Sequence, residues 1–256
     1  MGHIVGKDGV SPCPLKVSAM RDMCEPLVNG KLEIKLVNAV LGLFNYYRRY
    51  VPNYSAIAAP IIRLTRKETE FKWTPECKES FDKLKKELSE GRVLAHPDPS
   101  LGYVMYTDAS DTAISAVLSQ FRPLKDDEDK TTAGRVVKAS AVTHPTMPKG
   151  SLLQEVVIGY YSKLNSIQDA KMAPVELECQ AVVMGLLHFK PYIWGVHTTV
   201  ITDAAALKWL LTLQDGNGKL MRWALRIQEF DITVQHRPGL KNAMLMGCHD
   251  YLNFHS

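Results

Sequence analysis

The sequence predicts an α/β protein in two parts, a helical part over residues 1–95 and a sheet with helices over residues 96–256. The first part shows helical patterns, whereas β-rich runs alternate with helical patterns in the second. Of the 256 residues, 46% are apolar, which is enough for a sizeable core in one or two domains. Residues 93–99 include two prolines and are the expected linker.

Charge and cysteine usage narrow the class of function. Residues 1–95 hold 16 Lys and Arg against 11 Asp and Glu, although the whole chain carries only +4. A basic first part suits a polyanionic partner, but ordinary solvated surfaces are the better explanation of the charge on its own. The five cysteines form no Cys-x-x-Cys pair, which argues against a zinc site and for a reducing environment. With no apolar run of about 18 residues and no signal peptide, we expect an intracellular protein, cytoplasmic or nuclear, without a membrane partner.

The first part opens with a strand-like run at residues 3–5, a turn at 7–9 and an irregular segment at 11–14. A weak helical pattern covers residues 16–23. Residues 40–50 follow as an aromatic and basic cluster, in which Tyr46, Tyr47, Arg48 and Arg49 stand side by side. Such residues stack on bases and bind phosphates, so this segment is a candidate nucleic-acid interface. The alternative is that the tyrosines are core residues and the arginines face water.

A clear helix is predicted to begin at Pro75, with Thr74 as its N-cap. The second part then starts with a β-rich run at residues 103–107, a turn at 108–111 and a returning strand at 114–118. This hairpin fixes the carboxylate of Asp108 at the end of a strand, where it can be aimed at a metal ion or a phosphate. Turn chemistry alone also accounts for an aspartate at this position.

The later elements supply further charged side chains. A third strand at residues 156–162 precedes a helix at 174–189 that carries Glu176 and Glu178 in its first turns, where carboxylates favour the helix dipole. The two glutamates point to different faces because they are two residues apart. Asp203 follows a β-branched strand at residues 198–202, where helix capping is the competing explanation. The remaining predictions are a helical pattern at 204–213, a helix at 219–230 with Arg222 and Arg226 one turn apart as a basic ridge, and a strand at 231–236.

Long stretches of the chain resemble the polymerase of gypsy-type LTR retrotransposons. The similar stretches are GHIVGKDGVSPCPLKVSAM, LGLFNYYRRYVPNYSAIAAPI, FKWTPECKESFDKLKKELSEGRVLAHPD and YTDASDTAISAVLSQ. The resemblance runs from the end of the palm through thumb and connection into ribonuclease H. It implies a ribonuclease H-like mixed sheet flanked by helices over residues 96–256, preceded by a palm-end, thumb and connection remnant over residues 1–95.

The resemblance also implies a metal site and its ligands. Asp108, Glu178 and Asp203 match three carboxylates of the family, and Glu176 is then a helix-start residue. The fourth carboxylate falls on Asp250 if a four-residue insertion is allowed, whereas ungapped alignment puts Met246 there. The implied metal is Mg²⁺, with Mn²⁺ as a substitute, because carboxylate oxygens are its preferred ligands. The implied activity is endonucleolytic cleavage of RNA in an RNA–DNA hybrid.

The chain departs from the family in several places. Ala204 and Ala205 replace a polar residue and a lysine, and residues 121–156 are longer than the family's loop, which predicts a flexible segment. The family's Tyr-x-Asp-Asp hairpin is absent, so no polymerase activity is expected of this chain alone. A catalytically impaired or domesticated relic that binds nucleic acid is the alternative reading, and a purely structural role is the third. An RNA–DNA hybrid or other nucleic acid, a second copy of the chain and other retroelement proteins are the candidate partners.

Overall fold

The front part of the chain is mainly helical. The computed structural model describes residues 2–28, 31–66, 71–124, 136–138, 152–203 and 218–236. The front elements are β1 (His3–Val5), β2 (Val10–Pro12), α1 (Pro14–Arg21), β3 (Leu27–Val28), β4 (Lys31–Leu32), α2 (Ile34–Tyr46), α3 (Tyr54–Leu64) and α4 (Pro75–Ser89). The predicted helical front part is therefore confirmed.

The start of α4 shows how the local sequence sets a helix boundary. Pro75 occupies the first turn, where its missing N–H costs nothing. The Thr74 hydroxyl accepts a hydrogen bond from the backbone N–H of Cys77 at 3.4 Å, as predicted for an N-cap. The apolar side of the helix, which includes Phe81 and Leu84, is buried. Among the described helices, none is long and apolar enough to cross a membrane.

The second part is built on strands that alternate with helices. Its elements are β5 (Tyr103–Ala109), β6 (Ala113–Pro123), β7 (Val136–Lys138), β8 (Leu152–Leu164), α5 (Pro174–Ile193), β9 (Thr198–Thr202), α6 (Lys219–Ile227) and β10 (Ile232–His236). The strands form one six-stranded sheet in the order β10-β9-β5-β6-β8-β7. β9 runs parallel to β5 and to β10, whereas β5, β6, β8 and β7 pair antiparallel. The predicted α/β class with a mixed sheet and flanking helices is thus confirmed.

Each face of the sheet belongs to a different hydrophobic core. Successive side chains of a strand point to opposite faces, so β5 sends Val104 and Tyr106 one way and Tyr103 and Met105 the other. Val104 and Tyr106 pack with the front helices. Tyr103 and Met105 pack with α5 and α6. The front part therefore covers one face of the sheet, and the later helices cover the opposite face.

Several predicted boundaries need correction. Residues 11–14, predicted as irregular, include the end of β2, which pairs with β1. The first strand of the hairpin extends past its predicted end to Ala109, so Asp108 lies inside β5. The predicted loop at residues 121–156 overlaps the end of β6 and the start of β8, which pair with each other there. The cause is the same in each case, since pairing with a partner strand extends a strand beyond its own β-rich residues.

The linker at residues 93–99 makes backbone contacts with both parts of the chain. Leu94 forms an isolated bridge with Val10 of β2, and the backbone N–H of Ala95 donates to the carbonyl of Val157 in β8 at 2.8 Å. The division of the chain at residue 95 stays a prediction. The helical pattern predicted at residues 204–213 lies outside the described residues.

Candidate active site

Asp108 lies at the end of β5 that the following turn closes. It pairs with Ser115 of β6, and its side chain is half-buried. Burial raises the pKa of the Asp108 carboxyl, and the nearby charge of Asp203 raises it further. The sequence-based hypothesis of a carboxylate fixed at a strand end therefore agrees with the observed geometry.

Asp203 follows β9, the parallel neighbour of β5. Tyr106 of β5 pairs with Ile201 of β9, and two further residues along each strand lead to Asp108 and Asp203. Since parallel strands end at the same edge of a sheet, the two carboxylates meet there. The backbone carbonyl of Asp203 also accepts a hydrogen bond from Nε2 of His236 at 3.0 Å.

Glu178 approaches the same edge from helix α5. Burial raises the pKa of the Glu178 carboxyl, the charges of Asp203 and Asp108 raise it further, and His236 acts in the opposite direction. Glu176, two residues earlier, has a different role, because its carboxylate accepts a hydrogen bond from the backbone N–H of Ala173 at 3.2 Å. Its predicted role as a helix-start residue is consistent with this bond.

The chemistry of these donors fits a hard divalent cation. Carboxylate oxygens are the ligands that Mg²⁺ prefers, and a cation would relieve the repulsion that raises the pKa of Asp108 and of Glu178. Nevertheless, no group of three or more acidic, histidine or cysteine side chains in the described part of the chain is arranged to hold a metal ion. The three carboxylates interact through their charges without forming a complete ligand set. Both candidates for the fourth position, Asp250 and Met246, lie outside the described residues.

The predicted stacking tyrosines are placed differently from each other. Tyr46 is 55% exposed and stacks on His3 with ring centroids 5.1 Å apart. Tyr47 is 1% exposed, and its hydroxyl donates to the carbonyl of Gly2 at 3.0 Å. The prediction that Tyr47 stacks on a nucleic acid is wrong for this fold, because its ring is part of the core.

Arg48 is bound within the protein. Its guanidinium donates to Asn45 Oδ1 at 3.2 Å, to Ser55 Oγ at 3.3 Å and to the backbone carbonyl of Ser162 in β8. It also lies 5.3 Å from the ring centroid of Tyr54. The predicted phosphate contact of Arg48 is therefore corrected to a link between the front part and the sheet, because both of its terminal nitrogens donate to acceptors in the chain.

The sheet register puts this link at the active-site end. Asp108 pairs with Ser115, and Ser115 pairs with Ser162, so the three residues form one row across β5, β6 and β8. Asp108 and Ser162 are two strand spacings apart, a distance of about 10 Å. The backbone N–H of Ser55, near the start of α3, donates to Ser162 Oγ at 2.9 Å. The front part therefore contacts the sheet in the same row as Asp108.

The other predicted nucleic-acid contacts are surface residues. Arg49 is exposed beside the Tyr50 ring, with its guanidinium carbon 5.8 Å from the ring centroid. Arg222 and Arg226 are exposed one turn apart on α6. Their predicted role in binding remains a prediction.

His236 is a member of the site that sequence reasoning missed. It was predicted only as the end of a strand, yet it binds the Asp203 carbonyl and its charge affects Glu178. The sequence alone gives no signal for this, because His236 reaches the site only through the parallel pairing of β10 with β9, which ends both strands at the same edge.

A family model described as the RNase H-like domain found in reverse transcriptase matches residues 98–230. The Pol polyprotein from transposon 297 of Drosophila melanogaster is 30% identical over 245 residues, which are 95% of this chain and 20% of the polyprotein. The transposon Tf2-3 polyprotein of Schizosaccharomyces pombe is 28% identical over 246 residues, 94% of this chain and 16% of that polyprotein. The chain thus spans about a fifth of the length of the polyproteins it matches.

Solved structures share the fold. The foamy viral protease-reverse transcriptase in complex with RNA/DNA hybrid matches with a TM-score of 0.65 and 18% identity, over 94% of this chain and 29% of that one. A form of that enzyme in complex with double-stranded DNA also matches with a TM-score of 0.65, over 93% of this chain and 37% of that one. At this identity the likeness shows the fold.

Proposed function

Because this chain belongs to the family of RNase H-like domains found in reverse transcriptase, we propose that it hydrolyses the RNA strand of RNA–DNA hybrids with the help of divalent metal ions. The observation that carries the proposal is the meeting of three carboxylates at one edge of the sheet. Burial raises the pKa of both Asp108 and Glu178, and repulsion from Asp203 raises it further. Such repulsion costs stability unless a cation relieves it, so the arrangement is best understood as a metal site.

In this proposal Asp108, Glu178, Asp203 and Asp250 hold Mg²⁺, for which Mn²⁺ can substitute. When bound, a pair of such ions activates the attacking water and stabilises the leaving oxygen of the phosphodiester. The sheet supplies rigidity, because Asp108 and Asp203 extend from adjacent paired strands. His236 supports Asp203 by its hydrogen bond to the backbone carbonyl, which fixes the chain at the end of β9.

The hybrid is the proposed substrate because the relatives are Pol polyproteins and a foamy viral reverse transcriptase of the same fold forms a complex with RNA/DNA hybrid. Exposed Arg49, Arg222 and Arg226 are the proposed phosphate contacts. The chain is not expected to extend a primer on its own.

A second candidate function is nucleic-acid binding without cleavage. It is favoured by the finding that the described carboxylates form no group of three arranged for a metal ion. The two alanines after Asp203 point in the same direction. One cleavage assay separates the two functions.

The assay uses a hybrid with end-labelled RNA, purified chain and Mg²⁺. We expect cleavage that a chelator abolishes and that Asp108→Asn lowers by about 100-fold or more, since the variant loses a charged ligand. Asp111→Asn is the matched control, because Asp111 is an exposed aspartate in the turn that follows β5. Equal activity of wild type and Asp108→Asn would reveal a contaminating nuclease, whereas an inactive folded wild type that binds the hybrid would favour the second candidate.

The same assay tests the fourth ligand. Asp250→Asn should lower the rate about as strongly as Asp108→Asn, whereas Met246→Asp should have little effect. A thioether sulfur is soft and uncharged, so Met246 cannot replace a carboxylate on Mg²⁺. If Met246→Asp instead raises activity, the ungapped alignment is correct and the chain has lost one ligand.

A further inference from the structure

Three successive backbone carbonyls in the turn after Asp108 accept hydrogen bonds from one residue, Asn165. The side-chain amide of Asn165 donates to the carbonyl of Ser110 at 2.8 Å and to that of Asp111 at 3.2 Å. Its backbone N–H donates to the carbonyl of Thr112 at 2.9 Å. Asn165 is only 7% exposed, so water does not easily replace these bonds.

The turn itself is tight and begins two residues after Asp108. The backbone N–H of Ser110 donates to the carbonyl of Ala113 at 2.9 Å, and the Ser110 hydroxyl accepts from the N–H of Ala113 at 3.1 Å. These local bonds close the turn on itself, whereas Asn165 attaches it to the end of β8. The direction in which β5 presents Asp108 therefore depends on Asn165 as well as on the sheet.

The segment that follows Asn165 is attached to the helix that carries Glu178. Asp169 accepts a hydrogen bond at 3.1 Å from the side-chain amide of Gln180, which is two residues after Glu178 on α5. Asp169 also accepts from the backbone N–H and the hydroxyl of Ser166, at 3.2 and 2.8 Å. One short segment thus contacts the turn after Asp108 and the first turns of α5.

We propose that Asn165 is a positioning residue that holds Asp108 at the distance from Glu178 that metal binding requires. The proposal rests on the proposed function of these carboxylates and adds a residue outside the ligand set. Asn165 acts through the turn, because its bonds go to backbone carbonyls of residues 110–112. A displacement of about 1 Å at a catalytic group can cost about 100-fold in rate.

The opposite end of the same hairpin offers a matched control. Gln120 of β6 is fully buried, and its side-chain amide donates to the carbonyls of Asp98 at 2.7 Å and Leu101 at 3.1 Å. Its side-chain oxygen accepts from the N–H of Asp98 at 2.9 Å. Gln120 therefore attaches one end of the hairpin to residues 98–101, and Asn165 attaches the other end, beside the carboxylates, to β8.

The test compares Asn165→Ala with Gln120→Ala by three measurements. The first is amide hydrogen exchange of Ser110 and Ala113 without metal, which Asn165→Ala should accelerate about tenfold more than Gln120→Ala does. The second is the rise in Tm on addition of Mg²⁺, which only Asn165→Ala should reduce. The third is hybrid cleavage, in which Asn165→Ala should lower kcat by about tenfold or more with KM little changed. Asn165→Ser, which keeps a shorter donor, replaces Asn165→Ala if the latter does not fold.

The outcomes are separable. If the turn of the Asn165 variant exchanges at the wild-type rate, Asn165 does not hold the turn and the proposal is overturned. If both variants lose the Mg²⁺ response equally, the proposal is also overturned, because Asn165 would then be only a general stabilising residue. If the wild type neither responds to Mg²⁺ nor cuts the hybrid, the proposed function fails. The exchange comparison still decides in that case whether Asn165 fixes the turn beside Asp108.

Discussion

The carboxylate edge, formed by Asp108, Glu178 and Asp203, and the segment 46–49 both contain clustered charges. The surroundings of the charges in the two clusters are opposite in kind. At the edge, burial raises the pKa values of Asp108 and Glu178, and the like charge of Asp203 raises them further. In the segment, Arg48 finds acceptors in Ser55 and in the carbonyl of Ser162, and the Tyr54 ring lies beside it. A charge that is hydrogen-bonded within the chain stabilises the fold. Carboxylates that repel each other are stabilised by a cation bound from solution.

The largest expected effect separates two glutamates of one helix. Glu178→Gln should lower hybrid cleavage by about 100-fold or more, because the variant loses a charged oxygen ligand. Glu176→Gln should change the rate by less than about threefold, since Glu176 only caps the backbone N–H of Ala173. The measurement is kcat at saturating hybrid and fixed Mg²⁺. Similar losses in both variants would mean that Glu178 acts through the helix and not as a ligand.

The carboxylate edge could be predicted in part from the sequence, for a local reason. Asp108 and Asp203 each come at or near the end of a β-rich run, which is a local signal, whereas the parallel pairing that brings the two ends to one edge is seen only in the structure. The resemblance to a known family then selected Glu178 over Glu176. His236 follows the same logic but was not predicted, because a histidine at a strand end suggests nothing until its neighbour strand is known.

The roles of Arg48 and of Asn165 could not be predicted from the local sequence. Arg48 binds Ser162, which is 114 residues away in the chain, and Asn165 binds Ser110, which is 55 residues away. Local patterns carry no information about such contacts, because only the packed topology brings the partners together. For the same reason the sequence left open whether Tyr47 contacts nucleic acid or lies in the core, and the structure buries it, with its hydroxyl bound to the carbonyl of Gly2.

The next effect is on stability and contrasts Arg48 with its neighbour. Arg48→Ala should lower the free energy of unfolding by about 1–3 kcal/mol, because the Ser162 carbonyl and the Ser55 hydroxyl lose a charged donor. Arg49→Ala should change it by less than about 0.5 kcal/mol, since Arg49 is exposed. Urea unfolding of the two variants measures the difference. Equal stabilities would show that the link between the front part and the sheet contributes nothing.

The raised pKa values of Asp108 and Glu178 predict a further effect on stability. Between the ordinary carboxyl pKa and the raised value, the folded chain keeps a proton that the unfolded chain has lost. These two groups therefore make the free energy of unfolding fall as pH rises through that window. The expected result is a shallower fall in Asp108→Asn than in wild type.

Mg²⁺ provides the control for this pH effect. A bound cation favours the charged carboxylates, so Mg²⁺ should remove the fall in stability with rising pH in wild type, whereas Asp108→Asn, which lacks one ligand, should respond less. Tm measured from pH 4 to 7 with Mg²⁺ or with chelator gives both curves. A pH dependence that is the same for wild type and Asp108→Asn would contradict the placement of Asp108 against like charge.

The smallest expected effect concerns the arginines that the fold leaves exposed, Arg49, Arg222 and Arg226. A side chain that neutralises one phosphate displaces counterions, so its loss should make the plot of log K against log salt shallower by about one unit. Arg49→Ala and the double variant Arg222→Ala with Arg226→Ala should therefore weaken hybrid binding more at low salt than at high salt. Arg48→Ala is the reference, because its guanidinium is already bound to protein acceptors and its slope should equal that of wild type. If only Arg48→Ala changes the slope, the phosphate contact belongs to Arg48, and the contrast between the segment 46–49 and the carboxylate edge is wrong.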